Sequence, residues 1–206
     1  MAWRERVGRE KVARFRDRDY WARPVPGFGD PEARILLVGL APGAHGSNRT
    51  GRMFTGDGSG DFLYAALHAV GLASRPTAVD RDDGMVLSGV RITAAVRCAP
   101  PSNRPTSEER DRCLPYLARE VRLLGRVRVI VGLGAFGWDA ALRALAANGS
   151  SLPRPRPRFG HGAEVRVGPQ VLLGAFHPSQ QNTFTGRLSA SMLEAVLRRA
   201  IGIAAD

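Results

Sequence analysis

Four short apolar runs, Arg34–Gly39, Val90–Val96, Val127–Gly132 and Val171–Phe176, constrain this chain more than any other feature. Each has the length and the β-branched or aliphatic bias of a strand that is buried on both faces. Segments with helical signals lie between them. Asp61–Val70 is apolar on one face, Thr106-Ser-Glu-Glu109 reads as a capping box that opens a helix through Leu124, and Ala135–Leu145 and Ser189–Ile201 complete the set. Pro115 falls inside the second helix and is expected to bend it or to remove a backbone hydrogen bond. Strands alternating with helices imply right-handed crossovers and a covered parallel sheet. The expected fold is therefore α/β, a three-layer α/β/α sandwich with a central four-stranded parallel sheet. At 206 residues, the chain is expected to form one domain, 1–206, because typical domains run roughly 100–200 residues.

Two of these runs end in polar, glycine-rich loops, Gly39–Asp57 and His177–Gly186. An open parallel sheet places its active site at the carboxyl ends of its strands, so these loops are the candidate site. The formal charge is +11, carried by arginine with a single lysine, Lys11. Such an excess points to a polyanionic partner, nucleic acid before an anionic membrane surface. No apolar stretch approaches the ~20 residues of a spanning helix, and the arginine-rich start lacks the apolar core of a secretory signal. The expectation is a cytoplasmic protein.

Three familiar motifs nearly match. Gly132-Leu-Gly-Ala-Phe-Gly137 has dinucleotide-fingerprint spacing, but no acidic residue ends a following strand about 20 residues on, so a tight strand-to-helix turn is the better reading. Gly46–Met53 resembles a phosphate loop, with Arg52 and Met53 standing where its lysine and hydroxyl residue belong. The two cysteines and four histidines show no paired zinc-ligand spacing. The Pro153–Phe159 segment alternates proline with arginine and reads as either a solvated loop or a phosphate contact. Cys98 and Cys113, taken alone, read as buried small apolar residues.

Taken in order, the Gly39–Asp57 loop, the Cys98-Ala-Pro-Pro-Ser-Asn-Arg-Pro105 loop and the His177–Leu188 loop resemble the uracil-DNA glycosylase superfamily, and most closely its fifth, broad-specificity bacterial and archaeal branch. Tyr20–Gly29 and Phe159–Glu164 are similar to that family as well. The resemblance implies hydrolysis of the N-glycosidic bond of uracil, and of other deaminated bases such as hypoxanthine, after base flipping, to leave an abasic site. It implies a prokaryotic cytoplasmic enzyme that acts as a monomer on uracil-containing DNA. Alternatives are a family member that binds or traps uracil-DNA without turnover, and a non-catalytic nucleic-acid-binding module.

By the same resemblance, His177 would donate to the base O2 as negative charge builds there, Asn103 would pair with the edge of the flipped base, and Asp57 would position or activate the attacking water. Phe54 would stack on the extruded base; Gly39, Ala41, His45 and Asn48 are further candidates for the substrate pocket. Arg49, Arg52, Gln181, Asn182 and Arg187 would meet DNA, with the 180–185 loop filling the gap left by the flipped nucleotide. The chemistry needs no cofactor. Family members nonetheless carry a four-cysteine 4Fe-4S cluster, and Cys98 and Cys113, with fourteen residues between them, resemble its downstream ligand pair. The upstream pair is missing from the sequence as given, which is therefore expected not to hold a cluster stably.

Overall fold

The computed structural model describes residues 2–205. In chain order the elements are α1 (Ala2–Glu10), β1 (Phe28–Gly29), β2 (Ile35–Gly39), α2 (Ser47–Thr50), α3 (Gly58–Ala69), β3 (Val90–Ala94) and α4 (Ser107–Leu123). β4 (Val129–Leu133), α5 (Gly134–Ala147), β5 (Glu164–Val167), β6 (Gln170–Ala175), α6 (Gln180–Phe184) and α7 (Ala190–Ala205) follow. Single 3-10 turns occupy Ala13–Phe15 and Pro101–Asn103.

The sheet runs β1-β3-β2-β4-β6-β5. Its four inner strands are parallel, as the apolar runs imply, and an antiparallel strand closes each edge. Neither edge strand carries an apolar run. β1 is two residues long, and β5 places Glu164 and Arg166 among its four, the short and charged character that keeps an exposed edge from recruiting another chain.

Side chains of the inner strands alternate between two cores, as the twofold period of a strand requires. Ile35 and Leu37 join Ile92, Val131 and Leu173 on the face covered by α3 and α7. Leu36 and Val38 join Ile130 and Leu172 beneath α4 and α5. Four parallel strands are thus buried on both faces and read as unbroken apolar runs.

Register sets up the site. Gly39 pairs with Ala94 and Leu133 with Ala175, so the carboxyl ends of the inner strands finish along one edge. The chain leaves β2 for α3 on one face, whereas it leaves the neighbouring β4 for α5 on the other. Loops diverging from adjacent strands open a crevice at this reversal of direction.

Local chemistry accounts for the helix ends. Thr106 and Glu109 form the reciprocal capping box at the start of α4. That helix runs on through Pro115. Proline removes the bond to the carbonyl of Asp111, and Asp111 is exposed, so water can replace it. The glycines at 132–137 serve contact between helix and sheet: a Cβ on Gly132 would lie 2.6 Å from the backbone of Trp138, and one on Gly137 would run into the carbonyl oxygen of Val38. The glycine spacing therefore reflects a tight strand-to-helix turn.

A Gly137→Ala substitution should push α5 off β2 and lower stability by about 1–3 kcal/mol, the usual cost of overpacking a tight core. Urea unfolding checks this, and an unchanged midpoint would contradict it.

Candidate active site

The loop that follows β2 turns back on itself through α2 and ends at Asp57. Its conformation is held from several sides. The N–H groups of Trp21 and Ala22 donate to the carbonyls of Arg49 and Asn48 at 2.9 and 3.0 Å. The fully buried Tyr64 hydroxyl donates to the carbonyl of Met53 at 3.1 Å, and burial pushes its pKa up to about 12, so it remains a donor. The guanidinium of Arg52, only 3% exposed, makes two bonds of 2.8 and 2.6 Å to the carboxylate of Asp83 and a third to the Thr55 hydroxyl. Burial works against the charge on Asp83. The Arg52 guanidinium and the N–H groups of Met85, Val79 and Asp80 outweigh it and hold that carboxyl well below the usual carboxylate range.

Phe54 sits at the mouth of this loop with φ +53°, a left-handed conformation that a bulky side chain rarely adopts. Its ring closes over Gly39, where a Cβ would lie 2.7 Å from ring carbons, and its carbonyl occupies the space a side chain on Gly60 would need. The ring faces His177 from the far loop, centroid to centroid 5.8 Å with 34° between planes. His177 follows β6 and is anchored through its carbonyl, which accepts a 2.8 Å bond from the side-chain amide of Asn182. Gly134, at φ +83°, lies beneath it; a Cβ there would come within 3.2 Å of the His177 Cβ. Part of the imidazole reaches the surface of the cleft, but the protein around it is dense enough that dehydration lowers its pKa to about 4. At neutral pH the ring is uncharged.

Asp57 caps α3. One carboxylate oxygen accepts from the N–H groups of Ser59 and Gly60, both at 3.1 Å. The other lies over Gly43 and Gly46, and a side chain at Gly46 would occupy its position. Asn103 stands exposed in the Pro101–Asn103 turn with φ +54°, next to Ser102 at φ +52°. Asparagine tolerates this region, which turns the pair toward the sheet edge.

These groups line one cleft of about 890 Å³. Of the residues singled out from the sequence, it brings together His177, Asp57, Asn103, Phe54, Ala41, Arg49 and Gln181. Others lie behind it. Gly39 makes room for Phe54. His45 bonds the Tyr20 hydroxyl at 3.0 Å, and burial, reinforced by Arg14 and Arg49, lowers its pKa. Asn48 is fully buried and donates to the carbonyls of Arg4 and Ala44, tying the loop to α1. Arg52, expected at a DNA phosphate, is directed into the protein toward Asp83 instead, because its aliphatic stem and guanidinium are enclosed by the loop. Asn182 braces His177 from behind, and Arg187 is exposed with its guanidinium 4.7 Å from the centre of the Phe176 ring.

The sequence reading passed over Arg14, Phe15 and Asp61 as site residues, all of which line the cleft, as does Gln180 from the 180–185 loop. Asp61 follows Asp57 by one helical turn, and burial together with that neighbouring carboxylate raises its pKa. Arg14 and Phe15 reach the cleft from the amino-terminal segment; the signal in the sequence is the Arg14-Phe15-Arg16 triplet, an aromatic between two cations as nucleic-acid surfaces use. In the proline-arginine segment, Arg156 pairs with Asp139 at 2.6 Å and belongs to a network with Arg110 and Arg143.

Cys98 and Cys113 are both partly exposed free thiols. Cys98 Sγ accepts a 2.9 Å bond from the Arg4 guanidinium, while burial, with Cys98 close by, pushes the Cys113 thiol up. Among the described residues, no group of three or more His, Cys, Asp or Glu could hold a metal ion. Cys98 and Cys113 could supply two of the four thiolates that an iron–sulfur cluster needs. Among the described residues, no helix is long and apolar enough to cross a membrane.

A mostly parallel sheet whose strand ends hold a histidine, an aspartate and an asparagine around one cleft defines an α/β protein with a ligand site at the carboxyl ends of its strands, and comparison with known proteins makes the assignment specific. The family model for the uracil DNA glycosylase superfamily matches residues 26–200, and the chain belongs to that superfamily. It is 54% identical over 202 residues to the type-5 uracil-DNA glycosylase of Mycobacterium tuberculosis, covering 97% of this chain and 74% of that protein. It is also 54% identical to the type-5 uracil-DNA glycosylase of Thermus thermophilus, covering 97% of this chain and 89% of that one. Similarity extends to a type-4 uracil-DNA glycosylase of Pyrobaculum aerophilum, 32% identical over 78% of this chain and 74% of that protein.

The imidazole of His177 should stay neutral down to about pH 4, where an ordinary histidine protonates near ~6.5. The unfolded chain then binds the proton first, so this group's contribution to stability falls as pH drops from about 6.5 toward 4 and levels off below. An NMR titration of the ring checks it; a midpoint near 6.5 would contradict the dehydrated setting.

Proposed function

We propose that this chain is a monofunctional uracil-DNA glycosylase, one domain acting as a monomer in the prokaryotic cytoplasm, which flips uracil out of DNA and hydrolyses its N-glycosidic bond. Supporting the reading above all is the convergence of His177, Phe54, Asn103 and Asp57 on one cleft at the sheet edge.

Breaking this bond leaves positive charge on the sugar and negative charge on the departing base, so most catalytic benefit comes from stabilising that anion. His177 is suited to the task because it is neutral. An uncharged imidazole still has one N–H to donate to the base O2, and with a pKa near 4 it stays in that form across the physiological range. Phe54 offers its ring as a wall beside the flipped base, offsetting part of the few kcal/mol that extrusion costs. Asn103 presents one donor and one acceptor to the base edge.

Asp57 completes the reaction on the sugar side. Helix-capping bonds fix one of its oxygens, and the second is left to orient water toward the sugar carbon as the base departs. Asp61 adds a second negative charge one turn away, which favours the positive sugar. Phe184 on α6, 82% exposed beside the cleft, fits the gap that the extruded nucleotide leaves, with Gln181 and Arg187 on the same loop facing the duplex. Hydrolysis of other deaminated bases, hypoxanthine among them, belongs to the same proposal, since a stacking wall and an anion-stabilising donor suit any base that leaves as an anion. No step runs through a metal or cluster.

His177→Ala should lower the single-turnover rate of uracil release about 10²–10³-fold, the usual cost of losing an oxyanion donor, and Asp57→Ala and Asn103→Ala should each slow it as well. Release of free uracil from a labelled oligonucleotide measures this, with circular dichroism as a check on folding. Wild-type rates in all three variants would overturn the assignment, and a wild-type protein that stops after one equivalent would favour a binder without turnover.

A further inference from the structure

A second cavity of about 340 Å³ opens on the other side of Arg49, walled by Tyr20, Trp21 and Arg23 from one segment and by Asp80 and Arg81 from another. Arg49 lines both cavities. It is 8% exposed, its guanidinium donates to the carbonyls of His45 and Gly56, and among the described residues no carboxylate comes within ion-pairing distance of it. Phe15 lies 4.0 Å beneath its guanidinium, and Arg14, which also lines the main cleft, stacks on that same ring at 4.6 Å. Burial works against the charge of Arg49, and Asp80 on the wall of the second cavity supports that charge only from beyond ion-pairing distance, so an anion from outside the protein meets a cation whose hydrogen bonds go to carbonyl groups alone.

We propose that the second cavity receives the nucleoside next to the excised one in the DNA strand, with the phosphodiester between the two seated on Arg49. The inference rests on the glycosylase reading of the main cleft and extends it to substrate recognition. The cavity falls within the roughly 300–1,000 Å³ typical of small-ligand sites. The guanidinium groups of Arg23 and Arg81 lie 5.7 and 5.1 Å from the centre of the Trp21 ring, an array of planar groups against which a base can stack. Asp19 and Asp80 also face this space. Their carboxylates repel a second phosphate and accept hydrogen bonds from the N–H groups of a base, so the occupant is the nucleoside, and the anion is left to Arg49. The strand then passes from one cavity to the other across the residue that separates them.

The test uses duplexes in which the nucleotide on either the 5′ or the 3′ side of uracil is replaced by a baseless tetrahydrofuran residue. With the wild-type protein, loss of the base on one side, and not on the other, should raise KM about tenfold, the size of base–aromatic stacking. A neutral methylphosphonate linkage on that same side should raise KM as well. Arg23→Ala combined with Arg81→Ala removes two exposed groups and should abolish the difference between baseless and intact flanks, while both proteins experience the same loosening of the duplex. Equal KM for both flanks in the wild type, indifference to the charge of the linkage, or full retention of the difference in the double variant would overturn the proposal. Uracil release that shows no flank dependence rejects the second cavity alone. No release by the wild type rejects the reading of the main cleft.

Discussion

Contact between the Phe54 ring and the His177 imidazole joins two loops separated by more than a hundred residues, and the rest of the site is arranged around it. Neither ring could reach this place on an unrestricted backbone. Phe54 requires a left-handed φ, the absence of a side chain at Gly39 beneath its ring, and the absence of one at Gly60 beside its carbonyl. His177 requires Gly134 under its Cβ and the Asn182 amide on its carbonyl. Both loops start from strand ends that backbone pairing holds level with each other. The precision of the site therefore derives from the register of a sheet that is buried on both faces, and the loops inherit it.

Three kinds of charge are treated differently in a chain of strong positive excess. Arg52 is buried and neutralised by Asp83, which locks the first loop in place. Arg49, three residues earlier, is also buried, but its hydrogen bonds go to carbonyl groups and Asp80 acts on it only from a distance, so its charge remains available to an anion. Arg187 and Arg23 stay at the surface. Position along the chain does not predict this division, because α2 turns successive residues of the Asn48–Arg52 segment to different sides. In the same environment the dehydrated His177 stays neutral, so in the proposed mechanism it would offer a departing anion a directional N–H and no charge that would bind the ground state equally well.

Much of the architecture was legible beforehand for a specific reason. β2, β3, β4 and β6 are covered on both faces and so appear as apolar runs, whereas β1 and β5 are short, partly charged edges that leave no such trace. His177, Asp57, Asn103 and Phe54, singled out by resemblance to the family, line one cleft, and they lie in loops whose polar, glycine-rich composition has no packing explanation. His45, Asn48, Gly39 and Arg52 sit in the same stretch and share its composition, yet they serve the loop's own structure, a distinction that only tertiary contacts reveal. Arg14 and Phe15 were missed for the opposite reason: they come to the cleft through bonds that tie Trp21 and Ala22 to the first loop, about thirty residues away in sequence.

The central claim is that a flipped base occupies the space bounded by His177, Phe54 and Asn103. The most direct measurement is an NMR titration with duplex DNA bearing 2′-fluoro-2′-deoxyuridine, whose strengthened glycosidic bond lets the complex persist. The account predicts that the His177 ring nitrogens and the Asn103 side-chain amide shift on binding, and that a matched duplex with thymine in place of the modified base leaves them where they were. Binding that moves surface arginine resonances alone, with both groups unaffected, would contradict it.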